Sequence, residues 1–142
     1  MENANRRLMW HGMFLFLLGL FTGFAEAHVT NVRMGLAAHL EGVMNGILLM
    51  ALGAIWPHVR LGKTGQTAAF WTALYGAYVN WLFTLLAAIL GTGTLSPITA
   101  PGRHALPWKE ALVTAGLMSD GVVVIVSTLI FLWGLRGRAA QA

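Results

Sequence analysis

Four apolar runs dominate this chain: Leu8 to Ala25, Leu36 to Trp56, Thr67 to Leu90 and Ala111 to Leu135. Each approaches the ~20 residues that carry a helix across a ~30 Å hydrocarbon core. Lipid offers a backbone no water to bond with, so each run has to satisfy its own amides and carbonyls as an α-helix. Only 10% of the 142 residues are charged and mean hydropathy is +0.68, which removes a soluble domain from consideration. The expected architecture is all-α, a single integral membrane bundle of four transmembrane helices that takes in nearly the whole chain.

The connections follow from local chemistry. A short polar stretch with Glu26, His28, Thr30, Asn31 and Arg33 joins the first two runs. The pair Trp56-Pro57 closes the second, since the residue before a proline disfavours helix, and Gly62 to Gln66 forms a polar turn. Gly91 to Trp108, the longest loop, holds Pro97, Pro101 and Pro107; a lid and a plain linker both fit that composition. The first run ends in Ala25-Glu26-Ala27, a pattern resembling a signal-peptidase site, but His11 interrupts it, and retention as a helix is expected.

Nine Lys and Arg residues cluster near the ends of the runs. Arg6, Arg7, Arg60, Lys63, Arg136 and Arg138 fall on one side of a four-span arrangement, and Arg33, Arg103 and Lys109 on the other. Six against three places both termini in the cytoplasm, in a multi-pass protein of a bacterial-type cytoplasmic membrane. No basic stripe interleaved with aromatics is present, so no nucleic-acid partner is expected. Trp10, Trp56, Trp71, Trp108 and Trp133 read as interfacial anchors, and Trp81 lies deeper. Glycines at helix-packing spacing recur at Gly19 and Gly23 and at Gly42 and Gly46.

Against this apolar background the polar residues stand out. Ionisable groups at membrane depth are costly and mark function by default. At ~1.5 Å per residue, Asn45, Asn80 and Asp120 reach the middle of the bilayer on three different helices. Glu41 lies one turn from Asn45 on the same face, while His39 lies on another face nearer the outer boundary. Tyr78 is close to Asn80 in depth, Tyr75 is one turn nearer the cytoplasm, and His11 sits at the cytoplasmic end of the first run. A shared pocket accounts for polar groups from three helices at one level. The competing reading is interhelical hydrogen bonding, worth about 0.6 kcal/mol a pair, and for Asn80 the two readings stand level.

His39 has several available roles: metal or haem ligand, acid–base group, or interhelical donor. No second histidine lies one turn from it, so a zinc site would need His39, Glu41 and Asp120 to converge. Axial haem ligation needs one histidine and a flat apolar slot, which the Gly42 and Gly46 surface can help supply. Cysteine is absent, which excludes thiolate catalysis and iron–sulfur clusters. No phosphate loop, dinucleotide fingerprint or Gly-x-Ser-x-Gly elbow occurs, and covalent hydrolysis is not expected.

The segments Leu8-Met9-Trp10-His11-Gly12-Met13 and Met34-Gly35-Leu36-Ala37-Ala38-His39-Leu40-Glu41-Gly42-Val43-Met44-Asn45-Gly46, with the four-span length, resemble the hydroxylaminobenzene mutase family. The Ala-His…Asn-Gly pattern is also similar, more distantly, to styrene oxide isomerase. The resemblance implies rearrangement of hydroxylaminobenzene to 2-aminophenol, a homotrimer, and haem b between subunits with His39 as axial ligand. It also implies that Asn45 lines the substrate pocket. Where the isomerase pattern has a tyrosine four residues after the helix-three asparagine, this chain has Thr84 after Asn80.

On this reading His39 holds haem iron as a Lewis acid, Asn45 and Asn80 orient an aromatic hydroxylamine, and Glu41, Tyr78 or Asp120 moves protons. Two rivals stay open. One is an epoxide isomerase of the styrene oxide type. The other is a haem-binding electron- or proton-transfer subunit, for which Met44, Met50, Met118 or His11 would supply a second axial ligand.

Overall fold

In a computed structural model, which describes residues 3–136, each apolar run is a continuous helix that begins about one turn before the run itself. The helices are α1 (Ala4–Ala25), α2 (Val32–Ile55), α3 (Lys63–Leu90) and α4 (Pro107–Leu135). The extra turns hold residues such as Arg6, Arg33, Lys63 and Lys109. The first amides of a helix have no intrahelical acceptor, so these turns lie where water or headgroups reach them. Short 3-10 turns, Glu26–His28 and Trp56–His58, extend α1 and α2. All four helices are long and apolar enough to span a membrane, and no strand occurs among the described residues. Arg138, counted above in the charge asymmetry, lies outside the described residues.

The chain packs as a meander. α1 lies along α2, α2 along α3 and α3 along α4, with a lesser contact between α1 and α3. α2 and α4 do not pack along one another, and this omission creates the groove described below. The closest seam is between α1 and α2, where glycine meets glycine. A Cβ on Gly12 would fall 2.6 Å from the Gly46 carbonyl oxygen, and one on Gly19 would fall 2.6 Å from the Val43 nitrogen. Hydrophobic burial does not drive helices together in lipid, so backbone approach of this kind supplies packing that larger side chains would block. Trp81 reinforces the seam from α3 by donating its indole N–H to Thr22 Oγ1 at 3.1 Å.

Trp10, Trp71, Trp108 and Trp133 are exposed, as anchors would be. Trp56 instead turns inward and meets Phe131 edge-on, with ring centroids 5.9 Å apart.

The 91–106 loop is tied at both ends. Gly91, at φ +70°, ends α3 in the left-handed conformation that glycine tolerates best. From the start of α4 the Glu110 carboxylate accepts the backbone N–H of Gly93 at 3.1 Å, of Thr94 at 3.2 Å and of Ala105 at 2.9 Å. Asn31 caps α2 by accepting from the Met34 N–H, and donates to the Thr99 carbonyl at 3.3 Å. Thr30 Oγ1 donates to the Ile89 carbonyl at 2.7 Å. These bonds fasten the loop to the starts of α2 and α4. Glu110→Ala is expected to raise amide exchange at Gly93, Thr94 and Ala105 about tenfold, for about 1.4 kcal/mol of lost charge-assisted bonding. Unchanged exchange by mass spectrometry would remove Glu110 as the fastening.

Candidate active site between α2, α3 and α4

Because α2 and α4 stand apart on either side of α3, a groove of about 310 Å³ opens between them. Small residues of α3, Ala73, Gly76 and Ala77, form its floor, and Leu48, Val124 and Phe131 supply apolar walls. Asn45 from α2, Asn80 from α3 and Asp120 from α4 all line it. The three residues expected at one depth on three helices thus do share a pocket.

Glu41 does not line the groove but stands behind two residues that do. Asn80 Nδ2 donates to Glu41 Oε2 at 2.7 Å, and Asn45 Nδ2 lies 3.4 Å from the same oxygen and 3.4 Å from the Ala77 carbonyl. The contact between Glu41 and Asn45 is the one-turn pairing expected along a helix face. Asn80 extends it to a second helix. A carboxyl group held by two amide donors is fixed in direction.

Asp120 is 6% exposed, and its Oδ1 has no hydrogen-bond partner. Gly76 of α3 lies against it: an added Cβ there would stand 3.7 Å from that oxygen and 2.7 Å from Val124 Cγ2. Beside it, an added Cβ on Gly121 would meet nothing within 4 Å.

His39 lies elsewhere. Its Nδ1 is 2.8 Å from the Gly19 carbonyl oxygen of α1. A carbonyl only accepts, so Nδ1 carries the hydrogen, and in the neutral ring Nε2 keeps the lone pair. Gly23 makes room for the ring, since a Cβ there would fall 2.7 Å from Nδ1. The Gly19 and Gly23 pair thus seats an imidazole as well as packing a helix. A histidine oriented through Nδ1–H to a carbonyl, with Nε2 left to bind, is the usual arrangement of a metal-ligating imidazole, and these residues fit an axial haem ligand. They do not fit the zinc alternative, because His39 faces α1 while Glu41 faces α3. No three His, Asp or Glu side chains converge on a metal position among the described residues.

Tyr78 also departs from the groove. Its hydroxyl donates to the His11 carbonyl at 3.3 Å and lies 3.1 Å from His11 Nδ1, which ties α3 to α1. Tyr78 and Asn80 are neighbours in depth but point to different sides of α3. Tyr75 bonds Ser119 Oγ at 2.9 Å on the exposed edge between α3 and α4. Thr72 and Thr128, unmarked in the sequence, line the groove, and so does Ser127, which the sequence shows only as a hydroxyl without an evident activating partner. Helical spacing from Asp120 through Val124 to Ser127 and Phe131 was the available signal.

Residues 4–136 match the family model described as styrene oxide isomerase. Two relatives from Ectopseudomonas oleovorans are similar to this chain. Hydroxylaminobenzene mutase HabB is 46% identical over 137 residues, 96% of this chain and 84% of the relative. Hydroxylaminobenzene mutase HabA is 43% identical over 125 residues, 87% of this chain and 93% of the relative. No solved structure matches. Since the match runs from the first residue of α1 to the residue after α4, the chain belongs to the styrene oxide isomerase family and is a multi-pass membrane isomerase.

Proposed function

We propose that this protein is a hydroxylaminobenzene mutase, converting an aromatic hydroxylamine to the 2-aminophenol by moving a hydroxyl group from nitrogen to the adjacent ring carbon. The single observation that carries the reading is the pair Asn45 and Asn80 lining an apolar groove of about 310 Å³, both held from behind by the Glu41 carboxyl, in a chain 46% identical to HabB.

The reaction is an isomerisation. An N–O bond breaks, a C–O bond forms at the ortho carbon, one proton leaves that carbon and one reaches nitrogen. As the N–O bond weakens, positive charge spreads over nitrogen and ring. Glu41, fixed by two amide donors, is a preorganised negative charge that stabilises this distribution more than the neutral substrate. Asn45 and Asn80 orient the hydroxylamine end, and Leu48, Val124 and Phe131 exclude water, which would otherwise add to the electron-poor ring at other positions.

Haem b held by His39 Nε2 belongs to this proposal, and it would supply Lewis acidity toward the hydroxylamine oxygen. His39 and Asn45 face different sides of α2, toward α1 and α3 respectively. That separation fits the proposed homotrimer, in which His39 of one copy would serve the groove of its neighbour. Arg6, Arg7, Arg60, Lys63 and Arg136 at one end of the bundle support cytoplasmic termini in a bacterial-type inner membrane.

The test is product analysis with hydroxylaminobenzene in water enriched in oxygen-18. The expected product is 2-aminophenol carrying no label. A labelled product or 4-aminophenol would mean that water attacks the ring, and the mutase reading would fail.

A further inference from the structure

We infer that Asp120 is the base that removes the ring proton from the carbon receiving the hydroxyl; this rests on the mutase reading above. Once oxygen has moved, the ortho carbon bears both hydrogen and hydroxyl, and nitrogen is doubly bonded to the ring. Aromaticity returns when that C–H bond breaks. Its electron pair re-enters the ring, the C=N pair moves to nitrogen, and nitrogen takes up one proton. One proton leaves carbon and one arrives at nitrogen, so no oxidant or reductant is needed. The two atoms are separated by a single ring carbon, and one carboxyl group spans them.

Three features single out Asp120 for this step. It is more than nine-tenths buried, and burial without pairing is expensive for a carboxyl group. Its Oδ1 has no hydrogen-bond partner, whereas an aspartate serving only to hold α4 on α3 would spend that oxygen on a donor. Asp120 also stands on the α4 wall, opposite the α2 wall that carries Asn45. A ring oriented at its nitrogen end by the asparagines therefore presents its edge to Asp120. Gly121 leaves space at this spot, since no atom lies within 4 Å of where its side chain would begin, while Oδ1 faces Gly76 of α3 beside Val124. The division of labour follows, with Glu41 acting as a fixed charge and Asp120 as the group that exchanges protons.

The experiment compares the parent, Asp120→Asn and Asp120→Glu on hydroxylaminobenzene with and without deuterium at both ortho positions. The asparagine variant is expected to lose about 10²–10⁴-fold in turnover. Its residual reaction should be slowed by ring deuterium more than the parent is, and glutamate should restore part of the rate. Turnover within about threefold of the parent, or a loss with an unchanged isotope effect, overturns the inference. A second measurement needs no variant: dicyclohexylcarbodiimide should modify Asp120 in the parent, and saturating 2-aminophenol should suppress the adduct. An adduct that 2-aminophenol does not suppress, or no adduct at Asp120, also overturns it. Failure of the mutase reading is distinguishable, because the parent itself would then form no 2-aminophenol.

Discussion

His39→Ala protein, purified in detergent from haem-replete cells, is expected to lose its Soret absorbance and its 2-aminophenol-forming activity together. The imidazole is held from one side only, by Nδ1–H donation to the Gly19 carbonyl at 2.8 Å, and alanine removes both that bond and the Nε2 lone pair. Loss of several kcal/mol of charge stabilisation at the N–O oxygen corresponds to about a thousandfold or more in rate. The helix itself should survive, since alanine is the better helix former and the backbone contacts of Gly42 with Gly19 and of Gly46 with Gly12 remain. A haem-free variant with full turnover would move the chemistry wholly onto Glu41 and Asp120. A variant that kept the parent's Soret band would remove His39 as the ligand.

Particular residues show how much of this molecule was legible beforehand. The four spans were, because the demand that a backbone satisfy itself in lipid leaves a helix as the only local answer. Their starts were misplaced by about a turn, because hydropathy registers the hydrocarbon span and passes over the polar turn that meets the headgroups. The Glu41 and Asn45 pair was legible from helical spacing alone. Asn45, Asn80 and Asp120 meeting in one groove was legible from depth. Depth does not give azimuth, however. Tyr78 sits two residues from Asn80, yet it turns to His11 on α1, and only the packing of α1 against α3 decides that. Glu110 was invisible for a related reason. Its value lies in three backbone amides of a loop whose path is not written in any local pattern. The groove's existence depends on α2 and α4 not packing along one another, and no single segment encodes that.

The same substitution at two glycines is expected to give opposite results. In Gly42→Leu the new Cβ would lie 2.5 Å from Gly19 Cα, 3.0 Å from Gly19 N and 2.8 Å from Trp81 Cδ1. Two of those three neighbours are backbone and cannot swing aside, so α1 has to move off α2. Overpacking a well-filled interior costs about 1–3 kcal/mol even where side chains can adjust, and a backbone clash lies at or above the top of that range. The damage reaches the ligand position, because Gly19 supplies both the surface that Gly42 needs and the carbonyl that orients His39. Gly42→Leu should therefore melt at least several degrees lower in detergent and lose Soret absorbance with its fold. Gly121→Leu faces open space. It should match or exceed the parent in thermal stability, since leaving glycine in a helix recovers up to about 1 kcal/mol, while its side chain narrows the groove beside Asp120 and lowers turnover. Thermal melts and product assays on the two proteins separate the roles of these glycines. Equal stability of both would mean that the α1–α2 seam is looser than its geometry, and equal activity would mean that the groove between α2 and α4 is not where the aromatic ring sits.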